Sequence, residues 1–244
     1  MHARHCSPLT GRFHSVDPAM ESADPYTPQR WNRYNYVAGN PLKYIDPTGE
    51  ILFFFGATRN VEQVKSVAND SLHGVDLVTD ANGKASLVPN NEVGPPSPEQ
   101  QAFAGTLQSA ISSKQTISLA VVSGDTNVIF GQYISGKVDI GDVMTAGGIN
   151  PAGSASLLAH EIAEQQIKQS RNLSSDATGY SIAHPFGVAA QNRTSGYMLD
   201  IASRQKNLDS SLTGTTSAVH HRGSSAVRVT FQWKNGNLVR VTRQ

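Results

Sequence analysis

The sequence predicts an α+β fold in which a mixed β-sheet packs against several helices. Short apolar runs bounded by Gly, Pro and Asn are typical of strands, and residues 51–55 form the most apolar of them. Longer segments with apolar residues three and four positions apart, such as 98–112 and Ser154–Ser170, predict helices. The 21 Gly and 12 Pro, with only 16% charged residues, favour a loop-rich protein that contains strands over a helical bundle.

The predicted elements of residues 51–140 alternate between strands and helices. After the strand at 51–55, apolar residues at every third position predict a short helix at 61–68. Asn82-Gly83 is a strong turn signal and predicts a hairpin over 75–88. Ser97 can cap a helix at 98–112, because its side-chain oxygen can accept a hydrogen bond from a free N–H group of the first turn. Strands are then predicted at 116–122, 127–134 and 138–140.

The remaining residues begin with a Gly-rich loop at 141–153 and the strongest predicted helix, Ser154–Ser170. A residue that precedes proline is disfavoured in helical conformation, so we expect His184, before Pro185, where the next helix begins. That helix is expected to run to about residue 203. The polar run 210–225 is typical of a mobile loop, and residues 226–242, with an Asn-Gly turn, predict a closing hairpin.

Composition excludes several classes of function. The 20 Lys and Arg balance the 19 Asp and Glu, so a net charge of +1 disfavours strong nucleic-acid binding. A single cysteine, Cys6, excludes a disulfide framework and the cysteine-rich site of zinc deaminases. It also disfavours a cysteine nucleophile, because no organised partner is predicted for Cys6. No signal peptide is expected, because residues 1–10 are polar and contain Pro8. The apolar run at 51–56 is too short to cross a membrane, so we expect a soluble protein.

Residues 1–50 differ from the rest of the chain. They contain half of the 12 prolines together with many aromatic residues, and short strands at 34–38 and 42–45 are predicted as hairpin material. The stretches MHARHCSPLTGRFHSVDP and NRYNYVAGNPLKYIDPTGE resemble the C-terminal end of the RHS repeat-associated core over residues 4–49. The resemblance divides the chain into an RHS remnant, 1–50, and a variable C-terminal payload, 51–244.

The RHS resemblance implies a polymorphic toxin of bacterial competition. In that family the core closes one end of a β-cage, and the Asp-Pro-x-Gly element marks the junction with the toxin. Family cores can cleave themselves near this junction, where Asp46 stands, although the upstream repeats are missing and Asp46 also fits an ordinary turn residue. The resemblance further implies a cognate immunity protein. It places the chain either in the cytoplasm of the producer or within a larger secreted RHS protein.

The helix at Ser154–Ser170 contains the pattern H-E-x-x-E. Residues four apart share one helical face, so His160 and Glu164 are predicted to project to the same side. Apolar residues cover much of the remaining surface, and buried ionisable groups are costly unless they are paired or bind a metal. His184 lies twenty positions beyond Glu164.

The H-E-x-x-E pattern resembles that of zincin metallopeptidases, which use H-E-x-x-H and a downstream third ligand. By this resemblance His160, Glu164 and His184 would bind Zn²⁺, and Glu161 would act as general base on a protein or peptide substrate. Tyr180 and Tyr197 are candidates for stabilising the oxyanion. An edge strand at 127–134 or 138–140 would pair with an extended substrate.

Three alternative interpretations remain open at this point. His160 can be a polar residue at the boundary of a structural helix, with Glu164 and Lys168 as an i,i+4 ion pair. The run 220–222, His-His-Arg, could belong to a nuclease payload, and its histidines could also replace His184 as a ligand. The payload could also be a catalytically silent cassette.

Overall fold

The computed structural model describes residues 51–148 and 150–244, together with two short strands near the N-terminus. The chain separates into two compact units, Met1–Glu50 and Ile51–Gln244. In the first unit, β1 (Cys6–Ser7) pairs antiparallel with β2 (Arg12–Phe13). Asp46 and the predicted strands at 34–38 and 42–45 lie outside the described residues.

The second unit is built on a four-stranded mixed sheet, which confirms the predicted α+β class. The strand order is β3-β6-β8-β7, with β3, β6 and β8 parallel and β7 antiparallel at the edge. Its strands are β3 (Leu52–Gly56), β6 (Ile117–Val122), β7 (Gly131–Gln132) and β8 (Lys137–Asp139). Alternate side chains of β3 and β6 are buried, as expected for strands that pack against the core.

Two helices and a hairpin connect β3 to β6. These are α1 (Thr58–Asn69), β4 (Val75–Thr79), β5 (Ala85–Pro89) and α2 (Pro98–Ile111). Ser97 and Gln100 form a capping box at the start of α2, each side chain accepting the other's backbone N–H. The hairpin turns at Asn82-Gly83, as its sequence predicted.

The predicted strand at 127–134 is wrong except at β7. Phe130 has a positive φ of 56°, which interrupts an extended strand. The carbonyls of Tyr133 and Ile134 accept hydrogen bonds from Lys168. The predicted loop at 141–153 is also partly helical. It contains most of α3 (Ile140–Ala146), which is capped by Asp139, whose carboxylate accepts hydrogen bonds from the N–H groups of Gly141 and Asp142.

Two long helices follow, and they pack closely against each other. They are α4 (Ser154–Ser170) and α5 (Ala177–Ser195). The prediction that His184 begins α5 is wrong, because Asp176 caps the helix eight residues earlier by accepting the N–H groups of Thr178 and Gly179. Pro185 lies inside α5, and the helix ends at Gly196 instead of continuing to about residue 203.

The C-terminal residues form a second, antiparallel sheet with the order β12-β11-β10-β9. Its strands are β9 (Met198–Leu208), β10 (Gly214–Arg222), β11 (Ser225–Lys234) and β12 (Asn237–Arg243). The predicted closing hairpin is confirmed, but the predicted mobile loop at 210–225 is wrong, since most of it is β10. Phe231 and Trp233 of β11 belong to the same buried core as the first sheet. None of the helices in the described ranges is long and apolar enough to cross a membrane.

Candidate metal centre

Helix α4 carries three buried ionisable side chains within two turns. His160 and Glu161 are each 8% exposed, and Glu164 is 3% exposed. The neighbouring Leu158 and Ile162 are fully buried, so the apolar face of α4 holds the helix inside the domain. Because residues four apart lie on one face, His160 and Glu164 project to the same side, as predicted.

Helix α5 brings His184 to this pair from a distant part of the sequence. Glu164 Oε2 lies 3.6 Å from His160 Nε2 and 2.9 Å from His184 Nδ1. One ligand atom from each of the three residues lies within 4.8 Å of the others. Ligands of a tetrahedral zinc ion are about 3.3 Å apart, given metal–ligand bonds of about 2.0 Å. The three residues therefore stand at separations that a metal ion could bridge with small adjustments.

The position of His160 is fixed by residues of α5. His160 Nδ1 lies 3.1 Å from Gln191 Oε1, so Nδ1–H donates to the amide oxygen and leaves Nε2 directed at Glu164. Gly187 allows the close packing, since a Cβ there would stand 2.9 Å from His160 Nε2. Metal-binding histidines characteristically donate their other ring N–H to a carbonyl or carboxylate, and Gln191 supplies such an acceptor.

Glu161 lies beside the three residues and faces the edge of the mixed sheet. A Cβ added at Gly131 of β7 would overlap the Glu161 carboxylate, so the glycine makes room for this side chain. Among the described residues, the Glu161 carboxylate forms no hydrogen bond. Burial raises the pKa of Glu161, and the charge of Glu164 adds to this effect. Glu161 is thus a buried carboxyl group without a structural hydrogen bond.

The electrostatics of the cluster favour a positive charge between the imidazoles. Burial alone would raise the pKa of Glu164, but its contacts with His160 and His184 outweigh burial and lower the pKa. Burial alone would lower the pKa of His160, but contact with Glu164 and the charge of Glu161 reverse this and raise the pKa. A divalent cation is the charge that a buried set of two imidazoles and a carboxylate is suited to hold.

Tyr180 and Arg204 complete the exposed side of the cluster. The Tyr180 ring stacks on His184 with 4.5 Å between ring centroids, and burial raises the pKa of its hydroxyl. Arg204 Nη1 lies 3.0 Å from His184 Nε2. Arg204 also approaches the Tyr180 hydroxyl, which lowers the pKa of Tyr180 against the effect of burial.

The far end of α4 holds the edge of the mixed sheet in place. Lys168 Nζ donates to the carbonyls of Tyr133 at 2.6 Å and Ile134 at 2.8 Å, directly after β7. Gln165 also donates to the Tyr133 carbonyl. The alternative prediction of a Glu164–Lys168 ion pair therefore does not hold among the described ion pairs, in which Glu164 contacts both histidines.

The other candidate residues lie elsewhere. Tyr197 stacks near the Arg222 guanidinium, and Arg222 pairs with Glu99. His220 is buried, its Nδ1 has no partner, and burial lowers its pKa to about 4. His221 is on the opposite face of β10 and is exposed. Among the residues that the structure describes, His160, Glu164 and His184 form the one group of three side chains that could hold a metal ion.

Several residues around the cluster were not predicted from the sequence. Gln191 and Gly187 lie on a helix whose start was misplaced by eight residues, so their alignment with His160 was hidden. Arg204 was expected near the end of that helix but lies on β9, where a register shift between Ser217 and Val219 of β10 locally changes the pairing. The small residue at 187, three positions after His184, was the one local signal for close helix packing.

Similarity to known proteins does not identify the domain. No protein-family model matches the chain, and no characterised protein or solved structure is significantly similar to it. The geometry of the cluster is therefore the basis for a functional conclusion.

Proposed function

We propose that residues 51–244 form a zinc-dependent peptide-bond hydrolase with His160, Glu164 and His184 as ligands and Glu161 as general base. The observation that carries the proposal is the convergence of two imidazoles and a carboxylate in a buried site, with a second buried carboxyl group beside them. A purely structural helix gains nothing from Glu161, because a buried carboxyl group without a hydrogen bond costs stability.

The donor set fits zinc better than calcium or magnesium. Two nitrogens and one carboxylate oxygen match the three-ligand sites of catalytic zinc, which leave a fourth position open. Calcium and magnesium prefer sets made of oxygen alone. Gln191 accepts the hydrogen bond from the second ring nitrogen of His160, as is typical for histidine ligands of zinc.

In the proposed reaction, the metal ion would activate the substrate and Glu161 would transfer the proton. A bound zinc ion would supply Lewis-acid polarisation of the substrate carbonyl and would make water more acidic. Glu161 accepts a proton from the attacking water as the water oxygen bonds to the carbonyl carbon. The same carboxyl group then delivers that proton to the amine nitrogen as the C–N bond breaks. Burial raises the pKa of Glu161, which makes its carboxylate a stronger proton acceptor, and the charge of a bound metal ion would favour the ionised form that a base requires.

Tyr180 is the candidate for binding the developing oxyanion. Its ring is fixed against His184, and its hydroxyl is at the exposed side of the cluster, where a substrate would approach. A phenol in that position can donate a hydrogen bond to negative charge on the carbonyl oxygen.

The biological setting is proposed from the RHS resemblance of residues 4–49. In that setting the domain is a toxin payload that cleaves a protein of a competing cell, and the producer makes an immunity protein against it. A nuclease is less well supported, because His220 and His221 point to opposite faces of β10 and Arg222 is paired with Glu99. Because His220, His221 and Arg222 do not all lie on one face of β10, the three side chains cannot contact the same phosphate group.

The test combines metal analysis with a cleavage assay on purified full-length chain. We expect one zinc ion per wild-type chain and its loss in His160→Ala and His184→Ala. Glu161→Gln should retain zinc and lower cleavage of a mixture of extended fluorescence-quenched peptides by at least about 100-fold, as expected for loss of a general base.

Glu62→Gln is the matched control, since Glu62 is exposed on α1 and pairs with Lys65. It should retain both zinc and cleavage. Wild-type protein without zinc, or full cleavage by zinc-loaded Glu161→Gln, would contradict the proposal. Zinc binding without any cleavage by the wild type would support the silent cassette instead.

A further inference from the structure

The hydrogen bonds of His184 use both nitrogens of its ring. Nδ1 lies 2.9 Å from the Glu164 carboxylate, and a carboxylate ion only accepts hydrogen bonds, so Nδ1 carries the proton. Nε2 lies 3.0 Å from Arg204 Nη1, and a guanidinium only donates. His184 is therefore neutral in this arrangement, and its single lone pair accepts the hydrogen bond from Arg204.

A metal ion needs that same lone pair. If the ion bound Nε2, it would take the place of the Arg204 guanidinium. If the ion bound Nδ1, the proton would move to Nε2, and the Nε2–H group would then face the N–H groups of Arg204. Two donors cannot share a hydrogen bond, and the positive charges of the ion and the guanidinium repel each other. Either route removes Arg204 from His184.

Arg204 is placed so that it can leave. It is exposed on β9, and no carboxylate in residues 51–148 or 150–244 forms an ion pair with it. Its contacts at the cluster are with His184 and the Tyr180 hydroxyl, both of which are neutral groups. With no carboxylate partner in those residues, the guanidinium loses only these two hydrogen bonds when it rotates into solvent.

From these contacts we propose that Arg204 and the metal ion compete for His184, so that Arg204 closes the metal-free site and metal binding releases it. This inference rests on the metal site of the proposed function and adds its regulation: Arg204 sets the metal concentration at which the hydrolase is loaded.

The test is a calorimetric titration of Zn²⁺ into wild type, Arg204→Met and the matched control Lys206→Met. Lys206 is on the same strand two residues away, is exposed, and carries the same charge without contacting His184. Removal of a hydrogen bond to a charged group should tighten zinc binding by Arg204→Met at least about tenfold. Lys206→Met should change it by less than about threefold, because exposed charges are screened by solvent.

Nitrogen NMR of the His184 ring gives a second readout that does not depend on activity. We expect Nδ1–H in metal-free wild type and loss of the Arg204 hydrogen bond when Zn²⁺ is added. Unchanged zinc affinity in Arg204→Met, with binding still abolished by His160→Ala, would overturn the inference and leave the proposed metal site intact. Absence of zinc binding in both wild type and Arg204→Met would overturn both. Zinc binding by Arg204→Met but not by wild type would support the inference, because it would mean that Arg204 excludes the ion completely from the wild-type site.

Discussion

Two pairs of buried carboxylates in this domain are held in different ways. Asp139 and Asp142, which are 1% and 3% exposed, accept hydrogen bonds from backbone N–H groups. Asp142 in particular accepts the N–H groups of Leu238 on β12 and of Phe130 before β7. Among the described residues, Glu161 and Glu164 accept no backbone N–H group, and the partners of Glu164 are two imidazoles.

Under the proposed function, this difference distinguishes carboxylates that are buried to support the fold from carboxylates that are buried to bind a metal ion and react. The aspartates satisfy backbone donors that would otherwise be buried without partners, so they help to join the two sheets. The glutamates satisfy no such donors, and the backbone of α4 would be complete without them. Carboxylates retained in a core where the fold does not need them are typical of sites that perform chemistry.

The largest expected effect is the loss of metal from Glu164→Gln. An amide oxygen is a weaker ligand than a carboxylate and carries no charge to offset that of the ion, so zinc affinity should fall by more than about 100-fold. Asp142→Asn is the matched change in the other pair and should bind zinc as the wild type does. Isothermal titration of Zn²⁺ distinguishes the two variants, with circular dichroism to show that both are folded. Equal losses of zinc in the two variants would remove the distinction between the pairs.

The second prediction concerns the pH dependence that Asp142 contributes to stability. Burial raises its pKa from 3.8 to about 6 in the folded protein. A raised carboxyl pKa means that the folded state binds the proton more tightly, so this contribution is fully present below about pH 4 and is lost as the pH rises through 6. The expected loss is about 3 kcal/mol.

Urea unfolding of wild type and Asp142→Asn at pH 4 and pH 7 measures this contribution. The stability advantage of wild type over the variant should shrink by about that amount between the two pH values. The same difference at both pH values would show that Asp142 does not titrate in this range.

A third prediction tests the contact between α4 and α5. The new methyl group of Gly187→Ala would stand 2.9 Å from the His160 ring and 3.0 Å from its carbonyl oxygen. We expect a loss of about 1–3 kcal/mol in unfolding free energy, together with weaker zinc binding. Gly105→Ala is the control, because Gly105 is also helical but a Cβ there meets nothing within 4 Å. That variant should gain about 0.5–1 kcal/mol and bind zinc normally. A stable Gly187→Ala with normal zinc affinity would mean that the helices separate without disturbing His160.

The elements that carry local signals could be predicted from the sequence. Helix α4 follows from its apolar spacing, α2 from Ser97, and the last hairpin from its Asn-Gly turn, since each signal lies within a few residues of the element it controls. The placement of His160 and Glu164 on one face follows from helical periodicity alone.

The contacts across elements could not be predicted in the same way. Asp176 and Pro185 both signal a helix start, and the sequence does not show that packing against α4 keeps Pro185 inside α5. Because the start of α5 was misplaced, the sequence did not align Gln191 with His160. The position of Arg204 beside the cluster depends on the register shift between β9 and β10, and no distinct sequence signal marks that shift.

The smallest effect is expected at Gln191, which reaches the cluster only through His160. Gln191→Leu would remove the acceptor at 3.1 Å from His160 Nδ1, and loss of such a support typically weakens zinc binding about tenfold or somewhat more. Gln191→Glu should bind zinc more tightly than wild type, because a carboxylate acceptor makes the imidazole a stronger ligand. Zinc titration of both variants measures the two changes. If both weaken binding equally, Gln191 acts through packing, and the supporting hydrogen bond has no part in holding the metal.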